Sequence, residues 1–399
     1  MERSRRTVIA TVGGVFPFGG VYGLRRLRGA GETTGGADEP APPTDRDDRT
    51  GDESDVGGGR TEIATNGWLS YRGGPGLTGA VSATGPADEP TVAWTFEPSE
   101  VLGRPVAADR RVVVAGTGSS GRRGTLYALA ADRGAVEWES DPGAGVGHPP
   151  TLVGDLIVVS TVAGDIVAYD RAGAERWRFA LGDRPSHVVP GDGTLFAGAA
   201  GTTYALDVEG QERWRSDAGG RPAADDDCVY VTDGETVTAL GVDDGERRWS
   251  GELDAGVIGA PIVRGGTVLA VGETGRITAL VGDETAWTTA GDRPTRPAVT
   301  EDLVVVGYRY GSLLAYDRTT GEPRWERPDP GVTHLAVAGG TLYTVRVPEE
   351  RVGEPTPLLE TRELDSGEAV RETELPADRP PVVGDRTIYL GGGDLTALR

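Results

Sequence analysis

The sequence predicts an all-β fold, an eight-bladed β-propeller, from a recurring tryptophan and the strand-and-turn pattern between its copies. Seven tryptophans recur at intervals of 35 to 44 residues, the length of one four-stranded blade. Runs rich in valine and leucine, separated by glycine turns, fill each interval, as expected for short antiparallel strands. A ring of such units lets 399 residues form one domain. The tryptophans are Trp94, Trp138, Trp177, Trp214, Trp249, Trp287 and Trp325.

A small residue marks the third strand of the predicted blades. In Leu126-Tyr127-Ala128-Leu129 an alanine stands near the centre of the strand, and it recurs in seven copies. Alternation along a strand places one face in the layer between blades, where apolar surface has to be buried. A turn containing Asp and Gly often follows and leads into the tryptophan strand. The recurring alanines are Ala128, Ala168, Ala205, Ala239, Ala279, Ala315 and Ala397.

Counting these units gives eight blades and a way to close the ring. Six complete blades occupy residues 104–325, and a seventh occupies residues 334–372 without its tryptophan and with a polar insertion at 346–357. Three more strands follow, the last of them ending at Leu398. We expect residues 91–96 to supply the missing fourth strand, because closure removes both free sheet edges.

These units resemble the pyrroloquinoline-quinone-like (PQQ-like) repeat, "Gly-x-Leu-Tyr-Ala-Leu-Asp…Gly…Trp", over residues 66–399. The segment from Trp68 to Gly79 also resembles the one that opens many propellers of this family. The resemblance implies that the tryptophans dock between neighbouring blades and have a structural role. For the quinoprotein dehydrogenases among its members, it implies a quinone over the propeller axis, a calcium bound by Glu and Asn, a catalytic Asp, and in many members adjacent cysteines.

The residues for such a quinone site are largely missing from the sequence. The single asparagine, Asn66, precedes the first blade, and the single cysteine, Cys228, excludes a vicinal pair. We therefore predict a protein that is not an enzyme and has no cofactor, neither PQQ nor calcium. A carboxylate could still replace the asparagine as a calcium ligand, so a PQQ-dependent oxidoreductase with a diverged site is the second interpretation.

Other catalytic or metal-binding arrangements have weaker support. The three histidines and the cysteine fall in separate blades, which disfavours a zinc site or a Cys/His nucleophile. The run 225–227 consists of three aspartates, but it occupies the first hairpin turn of its blade, so we interpret it as a solvated acidic turn. No metal site is predicted.

A basic residue stands just before the first strand of seven of the eight predicted blades. All three histidines belong to this set, and Ala260 takes the position in the remaining blade. Because first strands line the channel of a propeller, we expect these side chains to encircle one mouth of it. The set, called the basic ring below, is Arg104, His148, His187, Arg221, Arg296, His334 and Arg379.

The basic ring predicts a site that attracts an anion, such as chloride, a carboxylate or the acidic tail of a partner protein. The histidines would make such binding depend on pH between about 6 and 7. The alternative interpretation is structural, with each arginine or histidine paired to a nearby acid or to carbonyl oxygens of a neighbouring blade.

The charge of the chain limits its partners. The net charge is −22 at pH 7, and all 40 basic residues are arginine because lysine does not occur. This composition is similar to that of proteins from extremely halophilic archaea, in which salt screens the self-repulsion of an acidic surface. A genome that prefers arginine codons would explain the missing lysine but not the excess of Asp and Glu. The charge argues against binding to nucleic acid or anionic lipid and favours a monomer.

The N-terminal region predicts export. Residues 1–30 resemble a twin-arginine signal, with an arginine pair ahead of a glycine-rich apolar stretch at 7–24. Three arginines beyond that stretch leave an uncleaved membrane anchor open as an alternative. Residues 31–62 are acidic and almost free of apolar side chains, so we expect a disordered linker before the propeller at 63–399. The expected location is extracellular or at the cell surface, attached to the outer face of the cytoplasmic membrane if the anchor is retained.

Together these observations predict an exported, non-catalytic scaffold that binds a protein partner or a ligand at its channel face. In function it is most similar to the eight-bladed lipoprotein type of the bacterial outer-membrane assembly machinery, which has this repeat and no cofactor. Besides the quinone oxidoreductase, a third interpretation is a sensor of anions or other small ligands that uses the basic ring.

Overall fold

The structure is a computed structural model that describes residues 67–118, 123–291, 293–308, 311–348 and 355–399. All regular secondary structure in these ranges is β, in eight sheets that each contain one four-stranded blade. The predicted eight-bladed propeller is therefore confirmed. No helix in the described ranges is long and apolar enough to span a membrane. The predicted signal at 1–30 and linker at 31–62 lie outside the described residues.

The strands follow the chain in the order that the repeat predicts. Three strands come before the first complete blade: β1 (Gly67–Trp68), β2 (Ala80–Val81) and β3 (Val92–Phe96). Blades 1 and 2 consist of β4 (Val106–Ala108), β5 (Arg111–Ala115), β6 (Leu126–Ala130), β7 (Val136–Ser140), β8 (Thr151–Val153), β9 (Leu156–Ser160), β10 (Asp165–Tyr169) and β11 (Glu175–Ala180). Blades 3 and 4 consist of β12 (Val189–Pro190), β13 (Thr194–Ala199), β14 (Thr202–Asp207), β15 (Glu212–Ser216), β16 (Ala223–Ala224), β17 (Cys228–Asp233), β18 (Thr236–Gly241) and β19 (Arg247–Glu252).

The second half of the ring repeats this plan. Blades 5 and 6 consist of β20 (Ile262–Arg264), β21 (Thr267–Val271), β22 (Ile277–Val281), β23 (Glu284–Thr289), β24 (Ala298–Val299), β25 (Leu303–Gly307), β26 (Ser312–Asp317) and β27 (Pro323–Pro328). Blade 7 consists of β28 (Val332–Ala338), β29 (Thr341–Arg346), β30 (Leu358–Glu363) and β31 (Ala369–Glu374), and blade 8 begins with β32 (Pro381–Gly384), β33 (Thr387–Leu390) and β34 (Leu395–Leu398).

Blade 8 is completed from the other end of the propeller sequence. Strand β3 pairs antiparallel with β34, with Phe96 opposite Leu395 and Val92 opposite Leu398. Two further backbone hydrogen bonds join Thr91 and Arg399, at 2.7 and 2.9 Å. The predicted closure of the ring by this strand is confirmed, and β34 is paired on both sides, with β33 and with β3.

The antiparallel order within each blade gives the propeller two different faces. The first strand of each blade lies nearest the axis, and the following strands are added outward in chain order. The segments that enter the first strands, which carry the basic ring, therefore share one face with the turns between second and third strands. We call this the mouth face. The first and third turns of each blade lie on the opposite face, called the far face.

Tryptophan side chains connect consecutive blades on the far face. In blade 3, Trp214 lies opposite Ala205 in the sheet, and its indole N–H donates to the Val242 carbonyl oxygen of blade 4 at 2.8 Å. The ring packs directly on Gly245, which has φ +67°, so a side chain there would meet both backbone strain and the indole. Six tryptophans make this hydrogen bond: Trp94, Trp138, Trp177, Trp214, Trp287 and Trp325.

The remaining repeat tryptophan, Trp249, has no such hydrogen bond within the described residues. The turn that it faces, in blade 5, is shorter, because Val281 pairs directly with Glu284. Gly282 at that turn has no atom within 4 Å of where a Cβ would stand, so the indole does not reach it. The junction between blades 4 and 5 is thus built without the contact that the other tryptophans make.

Blade 7 replaces the tryptophan by a buried ion network. Thr361 and Arg371 take the positions of the alanine–tryptophan pair in this sheet. Glu360, which precedes Thr361 in β30, is 2% exposed. Its carboxylate accepts hydrogen bonds from Arg346 at 2.9 Å and from Arg362 at 2.6 Å. Buried carboxylates are tolerated when they are paired and hydrogen-bonded in this way.

Candidate ligand site at the channel mouth

The lead-in, residues 67–84, crosses the axial channel toward the far face. Its carbonyl oxygens accept hydrogen bonds from N–H groups on the first strands of five blades. Strand β1 pairs with blade 1, β2 pairs with blade 7, and the Arg386 N–H of blade 8 donates to the Thr84 carbonyl oxygen, so the backbone of the lead-in contacts seven of the eight blades. The first-strand bonds are Leu152 to Leu69, Ala224 to Pro75, Val263 to Gly76, Val299 to Thr78 and Val337 to Gly79. The mouth is therefore a cup that has the lead-in as its floor.

Tyr71 of the lead-in lies at the centre of this cup and contacts blade 3, the one blade that the backbone bonds do not reach. Its ring stacks on the His187 imidazole with centroids 5.1 Å apart, and the Arg104 guanidinium carbon lies 5.6 Å from the Tyr71 centroid. His148 meets His187 edge-on at 6.0 Å. Three members of the basic ring thus meet around one lead-in aromatic residue.

Two further arginines bring buried charge to the same place. Arg72 is 7% exposed and donates one hydrogen bond to the Pro297 carbonyl oxygen at 2.6 Å, and its Nε has no partner. Arg296 donates to the Ala260 carbonyl oxygen at 2.5 Å, and its Nε is likewise buried without a partner. Carbonyl oxygens satisfy some N–H groups but do not neutralise a guanidinium charge.

The charge around Tyr71 changes its acidity. Burial alone would raise the pKa of the phenol, but the guanidinium groups of Arg296, Arg104, Arg72 and Arg221 outweigh it and lower the pKa below its usual value of 10. Burial also lowers the pKa of Arg296 to about 10, with repulsion from Arg221 and Arg104 contributing. A guanidinium group with a pKa near 10 still carries its charge at neutral pH. The cup is therefore strongly cationic.

No carboxylate in the described ranges forms an ion pair with Arg72, Arg104, Arg221 or Arg296. The ion pairs of the protein are found elsewhere, mostly between exposed arginines and acids on the outer strands and turns. Four arginines without acidic partners contrast with the net charge of −22 of the whole chain. An anion from outside the chain would supply the missing counter-charge.

Two cavities open beside Tyr71. One, of about 530 Å³, is lined by Tyr71, Arg221, Arg296 and Ile258, among others. The other, of about 230 Å³, is lined by Tyr71, Arg104 and His148 with neighbouring Gly and Pro residues. The larger cavity has the volume of a small-molecule site and the smaller one lies just below that range. Such sites are commonly concave with a few convergent polar groups.

Two members of the basic ring are paired with acids, as the alternative interpretation expected. The His334 imidazole lies 3.3 Å from the Asp378 carboxylate, and Arg379 forms an ion pair of 2.5 Å with Asp394. His187 and Arg296 also donate to carbonyl oxygens of neighbouring blades. The structure therefore divides the ring between pairing within the fold and a cationic cluster around Tyr71.

The expected titration of the histidines between pH 6 and 7 is wrong. Burial and nearby arginines lower the pKa of His148 to about 4 and that of His187 to about 3. Burial also lowers the pKa of His334 to about 4, although Asp378 partly opposes this. All three imidazoles are neutral at neutral pH, so the charge of the cup comes from arginine.

Sequence reasoning did not identify Tyr71 and Arg72 as site residues. The basic ring was visible because it repeats once per blade, whereas the lead-in occurs once and has no internal copy for comparison. The one available signal was the aromatic and basic pair in a Gly- and Pro-rich segment next to the propeller. Only the observed path of the lead-in across the channel connects this pair with the ring.

Eight four-stranded blades with a repeated alanine–tryptophan pair define the class of PQQ-like propellers, and comparison with family models identifies the family. The chain belongs to the family described as outer membrane protein assembly factor BamB, whose model matches residues 78–201 and 199–399. Comparison with curated proteins gave no match.

Solved structures show the same architecture in proteins of different activity. BamB from Moraxella catarrhalis is 16% identical, with a TM-score of 0.58 over 78% of this chain and 100% of that one. A europium-containing methanol dehydrogenase is 12% identical, with a TM-score of 0.64 over 84% and 98%. A quinohemoprotein alcohol dehydrogenase from Pseudomonas putida is 13% identical, with a TM-score of 0.65 over 84% and 80%. At these identities the similarity shows the fold alone.

The residues of the cup do not fit a calcium-bound quinone. Calcium takes six to eight oxygen ligands, mostly carboxylate and carbonyl. The side chains around Tyr71 are instead cationic or neutral nitrogen groups, and the nearby acids Asp378 and Asp394 are engaged with ring members. No group of three or more His, Cys, Asp or Glu in the described ranges is arranged to hold a metal.

Proposed function

We propose that the protein is an exported, non-catalytic propeller whose mouth face binds a protein partner. Membership of the BamB family supports a binding role in general. The observation that carries the proposal is the cup itself, which offers arginines and an aromatic ring where a quinone site would need calcium ligands. Export is part of the same proposal and is supported by the resemblance of residues 1–30 to a twin-arginine signal.

The mouth face also presents apolar side chains around the cationic cup. Val101, Val162 and Ile258 are 59%, 44% and 54% exposed, on the segments and turns that form this face. Ile258 lines the larger cavity beside Tyr71. A charged centre with apolar side chains at its edge suits a protein partner, because the apolar contacts supply affinity and the charges supply orientation.

Site-specific photocrosslinking in cells that express the full chain tests this proposal. A photoreactive amino acid at Ile258 or Val162 is expected to give discrete crosslinked products. The same amino acid at Val136 or Val281, on the far face and exposed to a similar extent, is the matched control. Products from the far-face positions alone, or from neither face, would contradict docking at the mouth face.

A further inference from the structure

We propose that the cup binds an oxyanion, a carboxylate- or phosphate-bearing group, between Tyr71 and the guanidinium groups of Arg104, Arg221 and Arg296. This site requires no protein partner, so it can exist whether or not the mouth face docks one. The anion can be a free small molecule or an acidic side chain of a partner, since the recognition chemistry is the same.

The first argument is uncompensated charge. Arg72 and Arg296 each bury an Nε that has no hydrogen-bond partner, and the described ranges place no carboxylate in ion-pair contact with either residue. Such groups destabilise a fold unless something satisfies them. The whole chain carries a net charge of −22, yet no acid in the described ranges pairs with these arginines. An oxyanion bound beside Arg104, Arg221 and Arg296 would neutralise the cluster, to which Arg72 adds charge from the lead-in.

The second argument is shape. The two cavities, of about 530 and 230 Å³, meet at Tyr71, with Arg221 and Arg296 on one side and Arg104 on the other. An anion with two or three carboxylates could therefore contact guanidinium groups on both sides of the ring. Planar guanidinium groups bind carboxylate and phosphate through paired hydrogen bonds, which an ammonium group cannot do. This favours polycarboxylates and phosphates over chloride.

Citrate is the probe, titrated into the full protein by calorimetry with ionic strength held constant by sodium chloride. We expect saturable binding and a rise in the unfolding temperature beyond that in sodium chloride alone. Arg104→Gln removes a charged donor and is expected to weaken citrate binding at least about tenfold. Arg221→Gln, at the exposed edge of the cup, is expected to weaken binding by a smaller factor.

Arg379→Gln is the matched control, because it removes a basic residue from the same ring that is already paired with Asp394. We expect it to change citrate affinity less than about twofold. The proposal is overturned if the wild-type protein shows no saturable citrate binding, or if Arg379→Gln weakens it as much as Arg104→Gln. Arg104 and Arg379 are partly buried and Arg221 is exposed, so circular dichroism is used first to verify that each variant folds.

A peptide of eight alternating Asp and Glu residues then distinguishes the two sources of the anion. Displacement of citrate by the peptide would assign the site to an acidic segment of a partner. Failure of the peptide to displace citrate would assign it to a small molecule, and both results sustain the oxyanion site. Citrate binding without mouth-face crosslinks would sustain the site and contradict the proposed docking, so the two proposals can fail separately.

Discussion

Acid should destabilise the protein through His187, and the effect can be worked out from its burial. The imidazole is 1% exposed, stacks on Tyr71, and lies 2.8 Å from the Pro222 carbonyl oxygen. Its pKa is lowered to about 3, from 6.5 in an exposed histidine, because burial and neighbouring positive charges disfavour protonation. Between pH 6.5 and 3, His187 is therefore protonated in the unfolded chain but neutral in the folded protein. The free energy of unfolding consequently falls as the pH falls.

At pH 5 this difference costs about 2 kcal/mol relative to pH 8. The figure depends mainly on the unfolded pKa, because any folded pKa well below 5 gives nearly the same result. His187→Gln removes the titrating group, so the variant should lose about 2 kcal/mol less than the wild type between pH 8 and pH 5. The free energy of unfolding is measured by urea denaturation at both pH values and constant salt.

His334→Gln serves as the comparison in the same assay. The pKa of this imidazole is lowered only to about 4, because Asp378 partly opposes the effect of burial, so the same calculation gives nearly the same loss at pH 5. The two variants should differ only when the measurement is extended below about pH 4, where His334 takes up its proton in the folded protein before His187 does. An identical pH dependence in His187→Gln and the wild type would refute the reasoning, because it would mean that His187 protonates in the folded state without penalty.

The blade junctions, the buried ion network of blade 7 and the acidity of Tyr71 can each be tested by one substitution. Trp214→Phe should destabilise the protein by roughly 1 kcal/mol more than Trp249→Phe in urea denaturation, because of these two residues only Trp214 donates a hydrogen bond to the next blade. Equal losses of stability in the two variants would contradict this. Glu360→Ala should cost about 3–5 kcal/mol in the same measurement, since it removes the buried carboxylate that pairs with both Arg346 and Arg362. A loss below about 1 kcal/mol would count against this. Tyr71→Phe should remove the tyrosine that ionises at the lowest pH in an alkaline titration, because the arginines lower the pKa of Tyr71. The titration is measured by ultraviolet absorbance, and an unchanged curve would mean that the arginines do not lower this pKa.

The repeat made the fold predictable. Each copy contains the same alanine, turn and tryptophan, so an ambiguous strand assignment in one blade can be resolved by comparison with the other blades. The strand at 92–96 was identifiable because blade 8 lacked its fourth strand. Trp249 shows the limit of this reasoning. Its sequence pattern matches the other copies, but a turn shortened in the neighbouring blade leaves its indole without the expected contact.

The candidate site was only half predictable, for physical reasons. The basic ring followed from its position in every repeat, whereas the partners of each member depend on which acids fold nearby. Asp378 and Asp394 could not be matched to His334 and Arg379 from spacing alone. The histidine pKa values depend on burial in three dimensions, which is why the expected titration near neutrality was wrong.

The most direct test of the central claim, a cationic binding cup in place of a catalytic quinone centre, is titration of the protein with PQQ with and without calcium. Quinone absorbance would report binding, and reduction of a dye with alcohols or sugars would report turnover. Because PQQ itself carries carboxylates, it could occupy the arginine cluster, so calcium dependence and turnover are the decisive readouts. We predict no calcium-dependent binding and no dye reduction. Stoichiometric, calcium-dependent binding with turnover would contradict the account.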